Sequence, residues 1–167
     1  CPYLSGLKNN VIASKFVKKD SNSLQQFGTH RKIETVNFCF DRSCNFQCPS
    51  CRSELINYYG KDREQVEKKL EEITNEISST VKRLYLTGTA DPFYSKSFRE
   101  FLETLDSTKF KKLESIHLHT NGSLWNEKMW NRLKAIHSYV NSCEISIDAG
   151  TKETYETKTR IGGKWDV

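Results

Sequence analysis

What this chain of 167 residues lacks narrows its class at once. No run approaches the roughly 18 apolar residues of a membrane span, and no charged segment followed by an apolar one opens the chain as a secretion signal would. We therefore expect a soluble, cytoplasmic protein without a membrane partner. Internal repeats and low-complexity tracts are missing, which sets repeat architectures aside. No block of like charge is present either. The net charge of +5 rests on lysines scattered among acids, such as Lys8, Lys18, Lys19, Lys61, Lys111 and Lys112. That is a solvated surface rather than a nucleic-acid footprint, so no nucleic-acid partner is expected. Six cysteines, three of them crowded on one loop, suit a reducing compartment better than a disulfide framework.

The length fits one domain with enough apolar residues for a core. Residues 1–33 show no strong period and carry Pro, Gly, Asn and Ser, the composition of an N-terminal extension. Residues 34–167 form the core domain. The chain begins at Cys1 rather than Met and stops soon after a motif, and we expect it to be an excerpt of something longer. From Glu34 onward, strand-like runs at 35–40, 81–87, 115–120 and 140–147 alternate with helix-like ones. Between 62 and 78, Val66, Leu70, Ile73 and Ile77 share one helical face. Phe98, Phe101, Leu102 and Leu105 mark a second helix, and Trp130, Leu133, Lys134 and Ile136 a third with a mixed stripe. This alternation predicts an α/β fold of parallel β/α units, either an open sheet or part of a barrel.

The strand faces favour the barrel. A parallel sheet covered on both sides reads as continuous apolar runs. Here Arg83, Tyr85 and Thr87 share one face of the second strand, His117, His119 and Asn121 one face of the third, and Glu144, Ser146 and Asp148 one face of the fourth. Their opposite faces carry Leu84 and Leu86, Ile116 and Leu118, Ile145 and Ile147. Apolar faces meet helices, and the polar faces then line a lumen that water, each other or a ligand must satisfy. About four β/α units of a partial barrel are expected, with loops converging at the strand C-termini, where such barrels place their sites.

One of these loops carries Cys44, Cys48 and Cys51, spaced CxxxCxxC directly after the first strand. Three thiolates on one loop can hold three irons of a cubic cluster and leave the fourth open; alternatively, a CxxC pair is half of a zinc site or a redox dithiol, and Cys39 supplies a fourth zinc ligand. No second CxxC or HxxxH follows, which leans away from zinc. A zinc module serving as an interaction platform, or a non-catalytic barrel domain that binds a partner, are the rival readings.

The CxxxCxxC loop resembles the radical S-adenosylmethionine (radical SAM) enzymes. The likeness extends to TGTADPF after the second strand, LHTNG at the third, and SIDAGTKETYETKTRIGGKWDV from Ser146, the last similar to the peptide-modifying branch that carries SPASM domains. The resemblance implies that Cys44, Cys48 and Cys51 hold a 4Fe-4S cluster. It implies that Thr87, Gly88 and Thr89 surround the methionine amino group of S-adenosylmethionine, that Ser146 and Arg160 bind its carboxylate, and that Asp148 takes a ribose hydroxyl. Two departures stand out: Ser50 replaces the aromatic residue common before the last cysteine, and the loop acid is displaced, with Ala90 then Asp91. The implied activity is reductive cleavage of S-adenosylmethionine to a 5′-deoxyadenosyl radical that abstracts hydrogen from a substrate, for which a peptide or protein side chain is the candidate. It requires a reductant such as flavodoxin or ferredoxin. Tyr85, His119, Asn121 and Glu144 are lumen candidates for substrate contact or proton transfer.

Overall fold

Alternation along the strands sorts side chains much as the sequence predicts. The computed structural model describes residues 33–86 and 89–166; the extension assigned to 1–33 lies outside them except for Ile33, as do Thr87 and Gly88. Among the described residues, β1 (Thr35–Phe38), β2 (Arg83–Leu86), β3 (Ser115–Thr120) and β4 (Val140–Ile145) form one sheet, all parallel, in the order β1-β2-β3-β4. The connections carry helices α1 (Gly60–Ile77), α2 (Lys96–Glu103) and α3 (Glu127–Arg132). A doubly wound sheet reverses its strand order at a switch point. Here the order never reverses, so the architecture is a partial β/α barrel, as expected.

The register places Leu84 between Val36 and Ile116, and Leu86 between Phe38 and Leu118. Phe38, Leu84, Leu86, Ile116 and Leu118 are essentially inaccessible, and α1 buries Val66, Leu70 and Ile77. An aromatic cluster fills the space between sheet and α2. Phe98 stacks on Phe38 at 6.3 Å and meets the edge of Phe40 at 5.4 Å, while Phe101 reaches Phe38 at 5.6 Å. Such offset and edge-on pairs add to the area they bury. Ser95 caps α2 by accepting the Phe98 amide.

Element ends differ from the sequence reading for local reasons. β1 stops at Phe38 rather than at 40, and the Thr89 hydroxyl binds the Asp41 carbonyl instead of a ladder continuing. β2 starts at Arg83 rather than 81, because the Val81 amide still closes the last turn of α1 on Ile77. The third helix breaks at Leu133 and resumes as a 3-10 turn, Lys134–Ile136, which keeps Leu133 and Ile136 buried and turns Lys134 to solvent. The apolar face predicted for the last strand is not covered: Ile145 and Ile147 are 50% and 53% exposed. β4 is the outermost strand of the order, and these two side chains line an open pocket with Tyr155 and Trp165 instead of a closed core.

Truncating Phe98 to Ala should cost about 3–5 kcal/mol in denaturant unfolding, the usual range for a fully buried phenylalanine. A loss under about 1 kcal/mol would mean that the aromatic cluster does not hold α2 to the sheet.

Candidate active site

The cysteine loop is built by its own polar side chains. Asp41 accepts the Ser43 amide at 2.7 Å, an Asx turn, and binds the Ser95 hydroxyl at the cap of α2. The Cys44 amide then donates to Ile56 at 2.9 Å, and the amides of Cys51 and Arg52 both donate to the Cys48 carbonyl. This turn brings the second and third cysteines to one cavity. Cys44 and Cys48 are buried, Cys51 is exposed, and all described cysteines are free thiols.

Each of the three sulfurs has a side-chain donor, distant in sequence for Cys44 and Cys48 and from the adjacent residue for Cys51. Asn121 Nδ2 lies 3.6 Å from Cys44 Sγ, Arg160 Nη1 3.5 Å from Cys48 Sγ, and Arg52 Nη2 3.4 Å from Cys51 Sγ. Donors and cations suit thiolates, which accept hydrogen bonds far better than thiols. Burial pushes the Cys44 thiol up, opposed by the Phe46 amide and the Arg52 charge. All three cysteines line a cavity of about 320 Å³, shared with Ser50, His119, Glu144, Ser146, Asp148 and Arg160. Among the described residues, no three Cys, His, Asp or Glu side chains gather tightly enough to share a single metal ion. Thiolates of a cubic cluster each bind a different iron and stand further apart around a cavity, so this donor set suits a cluster.

Asp91, read from sequence as a displaced loop acid, takes a different role. It is 1% exposed. One carboxylate oxygen accepts the amides of Phe93 and Tyr94 at 3.0 and 3.1 Å. The other accepts the Thr120 hydroxyl at 2.7 Å and the Asn121 amide at 2.9 Å. The Asp91 amide donates to the Ser43 carbonyl at 2.9 Å. The carboxylate thus joins its own loop to the end of β3, and the backbone amide of the same residue ties in the cysteine loop.

The remaining candidates fall into place unevenly. Ser146 lines the cavity and its hydroxyl bonds His119 Nε2 at 2.8 Å. Asp148, in left-handed backbone at φ 55°, pairs with Arg160, whose buried Nε has no partner. The Thr89 hydroxyl is used on the Asp41 carbonyl at 2.9 Å. Thr87 and Gly88 lie outside the described residues. Of the lumen candidates, His119 and Glu144 line the cavity, as does Asn121, but Asn121 is buried and engaged with Asn45, Ser123 and Cys44. Tyr85 lies beside His117, ring centroids 5.3 Å apart, and is not part of that lining.

Sequence reasoning missed Arg52 and the double glycine. Gly162 has φ +97°, and a Cβ there would stand 3.1 Å from the Asn45 carbonyl. A Cβ on Gly163 would meet Tyr155 at 2.6 Å and Phe46 at 3.0 Å. The Gln47 amide also donates to Ile161. The segment bearing Arg160 is thus pressed against the cysteine loop, where Phe46, Tyr155, Cys44 and Cys48 form a second small core. Two adjacent glycines beside a candidate arginine were the available signal.

Residues 39–167, more than half of the chain, match the family described as the Radical SAM superfamily. The chain belongs to this superfamily. Membership in this superfamily of enzymes implies a 4Fe-4S cluster and S-adenosylmethionine as cofactors. Over 98 residues it is 31% identical to a 7-carboxy-7-deazaguanine synthase of Aquifex aeolicus (strain VF5), a match spanning 58% of this chain and 40% of that relative. Among the described residues of this radical SAM chain, no helix is long and apolar enough to cross a membrane.

The close fit at Gly163 gives a paired test. Gly163→Ala should lower stability by about 1–3 kcal/mol in denaturant unfolding through overpacking, whereas Gly150→Ala, with open space around the added methyl, should be within about 0.5 kcal/mol of the parent. Equal effects would show that the segment is not pressed against the cysteine loop.

Proposed function

We propose that Cys44, Cys48 and Cys51 are the cluster ligands, and that Arg160, Ser146 and Asp148 receive S-adenosylmethionine beside them. The observation that carries this reading is the convergence of all six side chains on one cavity, with a donor aimed at each sulfur. When bound, the cluster and S-adenosylmethionine together supply reductive carbon–sulfur cleavage to a 5′-deoxyadenosyl radical.

The chain's own residues orient the cofactor. Arg160 has five donor positions; one hand faces Cys48 and another Asp148, and the unpartnered Nε leaves capacity for a carboxylate. Charge-assisted, forked bonds of this kind fix orientation as well as energy. Ser146 adds a hydroxyl, held by His119. Because the Thr89 hydroxyl is occupied, the amino group of the methionine moiety falls to the backbone around Thr87, Gly88 and Thr89. Asp148 is exposed and within reach of Arg160 alone among the described charges, which suits a ribose hydroxyl at the cavity rim. Ser50, also in the lining, offers no aromatic face, which leaves adenine contacts to backbone or to residues elsewhere. His119 and Glu144, with 3.7 Å between Nε2 and the carboxylate, are the pair placed to exchange a proton with substrate.

In this reading, residues 34–167 are the core domain and 1–33 an extension. The substrate class is a peptide or protein side chain, supported by the similarity of residues 146–167 to SPASM-type enzymes. A flavodoxin or ferredoxin in the cytoplasm supplies the electron.

Anaerobic reconstitution should give a brown protein with about four irons, as one cubic cluster requires. Reduced in the presence of S-adenosylmethionine, it should release 5′-deoxyadenosine. Cys44→Ala, Cys48→Ala and Cys51→Ala should each abolish the cluster, while Cys39→Ala and Cys143→Ala should keep it. A stable four-iron cluster in Cys48→Ala would overturn the ligand assignment, and a colourless protein holding one zinc would favour the structural-zinc reading. Arg160→Ala should weaken S-adenosylmethionine binding by about 1.5–3 kcal/mol, roughly ten- to over a hundred-fold by calorimetry, with the irons retained. Unchanged affinity would remove Arg160 from the carboxylate site.

A further inference from the structure

Arg52 is a buried cation without an acid. It is 8% exposed, and no other arginine among the described residues is buried to that degree. Arg63, Arg99, Arg132 and Arg160 each pair with a carboxylate. Arg52 instead donates to the Arg42 carbonyl at 2.7 Å, to the Thr89 carbonyl, and to Cys51 Sγ at 3.4 Å. None of these partners is an acid. Neutral carbonyls satisfy N–H groups but leave the charge itself uncompensated, and an uncompensated buried charge costs several kcal/mol. Among the described residues no acid stands within ion-pair distance of Arg52; the buried Asp91 and Asp41 direct their oxygens to amides and hydroxyls instead.

The cavity in front of Arg52 is lined by three thiols. On the reading that these hold a cluster, which this inference rests on, the compensating charge is the cluster itself. Four irons and four sulfides held by three thiolates carry net negative charge, and that charge grows by one when an electron is added. A fixed guanidinium therefore stabilises the reduced state more than the oxidised one. Net charge and hydrogen bonds to the sulfurs are the levers that set such potentials. Arg160 does not serve in the same way, because Asp148 offsets its charge.

We propose that Arg52 is the built-in counter-charge of the cluster, a positioning residue that is fixed by the Arg42 and Thr89 carbonyls, donates to the Cys51 sulfur, and raises the potential at which the cluster takes its electron. The same guanidinium spans from the cysteine loop to the loop after β2, so one side chain couples the Cys51 ligand to the backbone proposed to face the cofactor's amino group.

Potentiometric titration of the reconstituted chain, read by electron paramagnetic resonance of the reduced cluster, tests this without reference to turnover. Arg52→Gln removes the charge and keeps much of the hydrogen-bonding shape; Arg52→Lys keeps the charge and loses the fork. At the wild-type midpoint, the ratio of reduced to oxidised cluster in Arg52→Gln should fall about tenfold, a shift of about 59 mV to lower potential for one electron. Arg52→Lys should fall less than about threefold. Wild-type behaviour in Arg52→Gln, or equal shifts in the two variants, overturns the proposal. Should Arg52→Gln fail to hold its irons, Arg52→Lys decides: a near-wild-type midpoint supports the counter-charge, and a tenfold fall overturns it. A wild-type chain that assembles no four-iron cluster overturns the cluster reading and this proposal together, whereas a loaded wild type with an unshifted Arg52→Gln overturns only the latter.

Discussion

The buried carboxylate of Asp91 is the joint on which the site depends. Four donors converge on it, two from the start of its own loop's descent into α2 and two from the end of β3. Its amide holds the Ser43 carbonyl and so the cysteine loop. A carboxylate can be taken out of water only if its lone pairs are filled, and here they are. Removing it would orphan donors in two loops at once, those of Phe93 and Tyr94 and those of Thr120 and Asn121, around the residue whose amide holds the cysteine loop. Asp41 repeats the device on the other side, joining the cysteine loop to the cap of α2 through Ser43 and Ser95.

A division of labour between charges follows. The buried acids are consumed by architecture, and the cations are left for the cavity. Arg52 and Arg160 reach sulfur from opposite sources, one from the residue after Cys51 and the other from a segment more than a hundred residues later. That second segment is held by steric fit: Gly162 and Gly163 let the backbone come against Asn45, Phe46 and Tyr155 where any side chain would intrude. Packing at the glycines therefore determines where Arg160 stands relative to Cys48.

How far the sequence discloses this depends on the range of each signal. The strands and helices were legible because periodicity is local: Ser115–Thr120 matches residue for residue, and the buried Leu84, Leu86, Ile116 and Leu118 are the face assigned to helices. Strand ends were less so: the Val81 amide closes a helix turn on Ile77, and Thr89 bonds the Asp41 carbonyl far back in the sequence. The three cysteines announced themselves by spacing. Arg52 did not, because a lone arginine after a cysteine has no period, and only burial without an acid sets it apart. Asp91 was visible as a turn residue and a displaced loop acid, but what it accepts from Thr120 and Asn121 depends on tertiary contact.

The central claim is that three thiolates from one loop leave a fourth iron open to S-adenosylmethionine, oriented by the residues across the cavity. Electron–nuclear double resonance on the reduced, reconstituted protein with S-adenosylmethionine labelled at the methionine amino nitrogen and carboxylate oxygen reads that contact directly. The account predicts hyperfine coupling from both labels to the cluster. A reduced four-iron cluster showing no coupling to either label in the presence of saturating S-adenosylmethionine would contradict it.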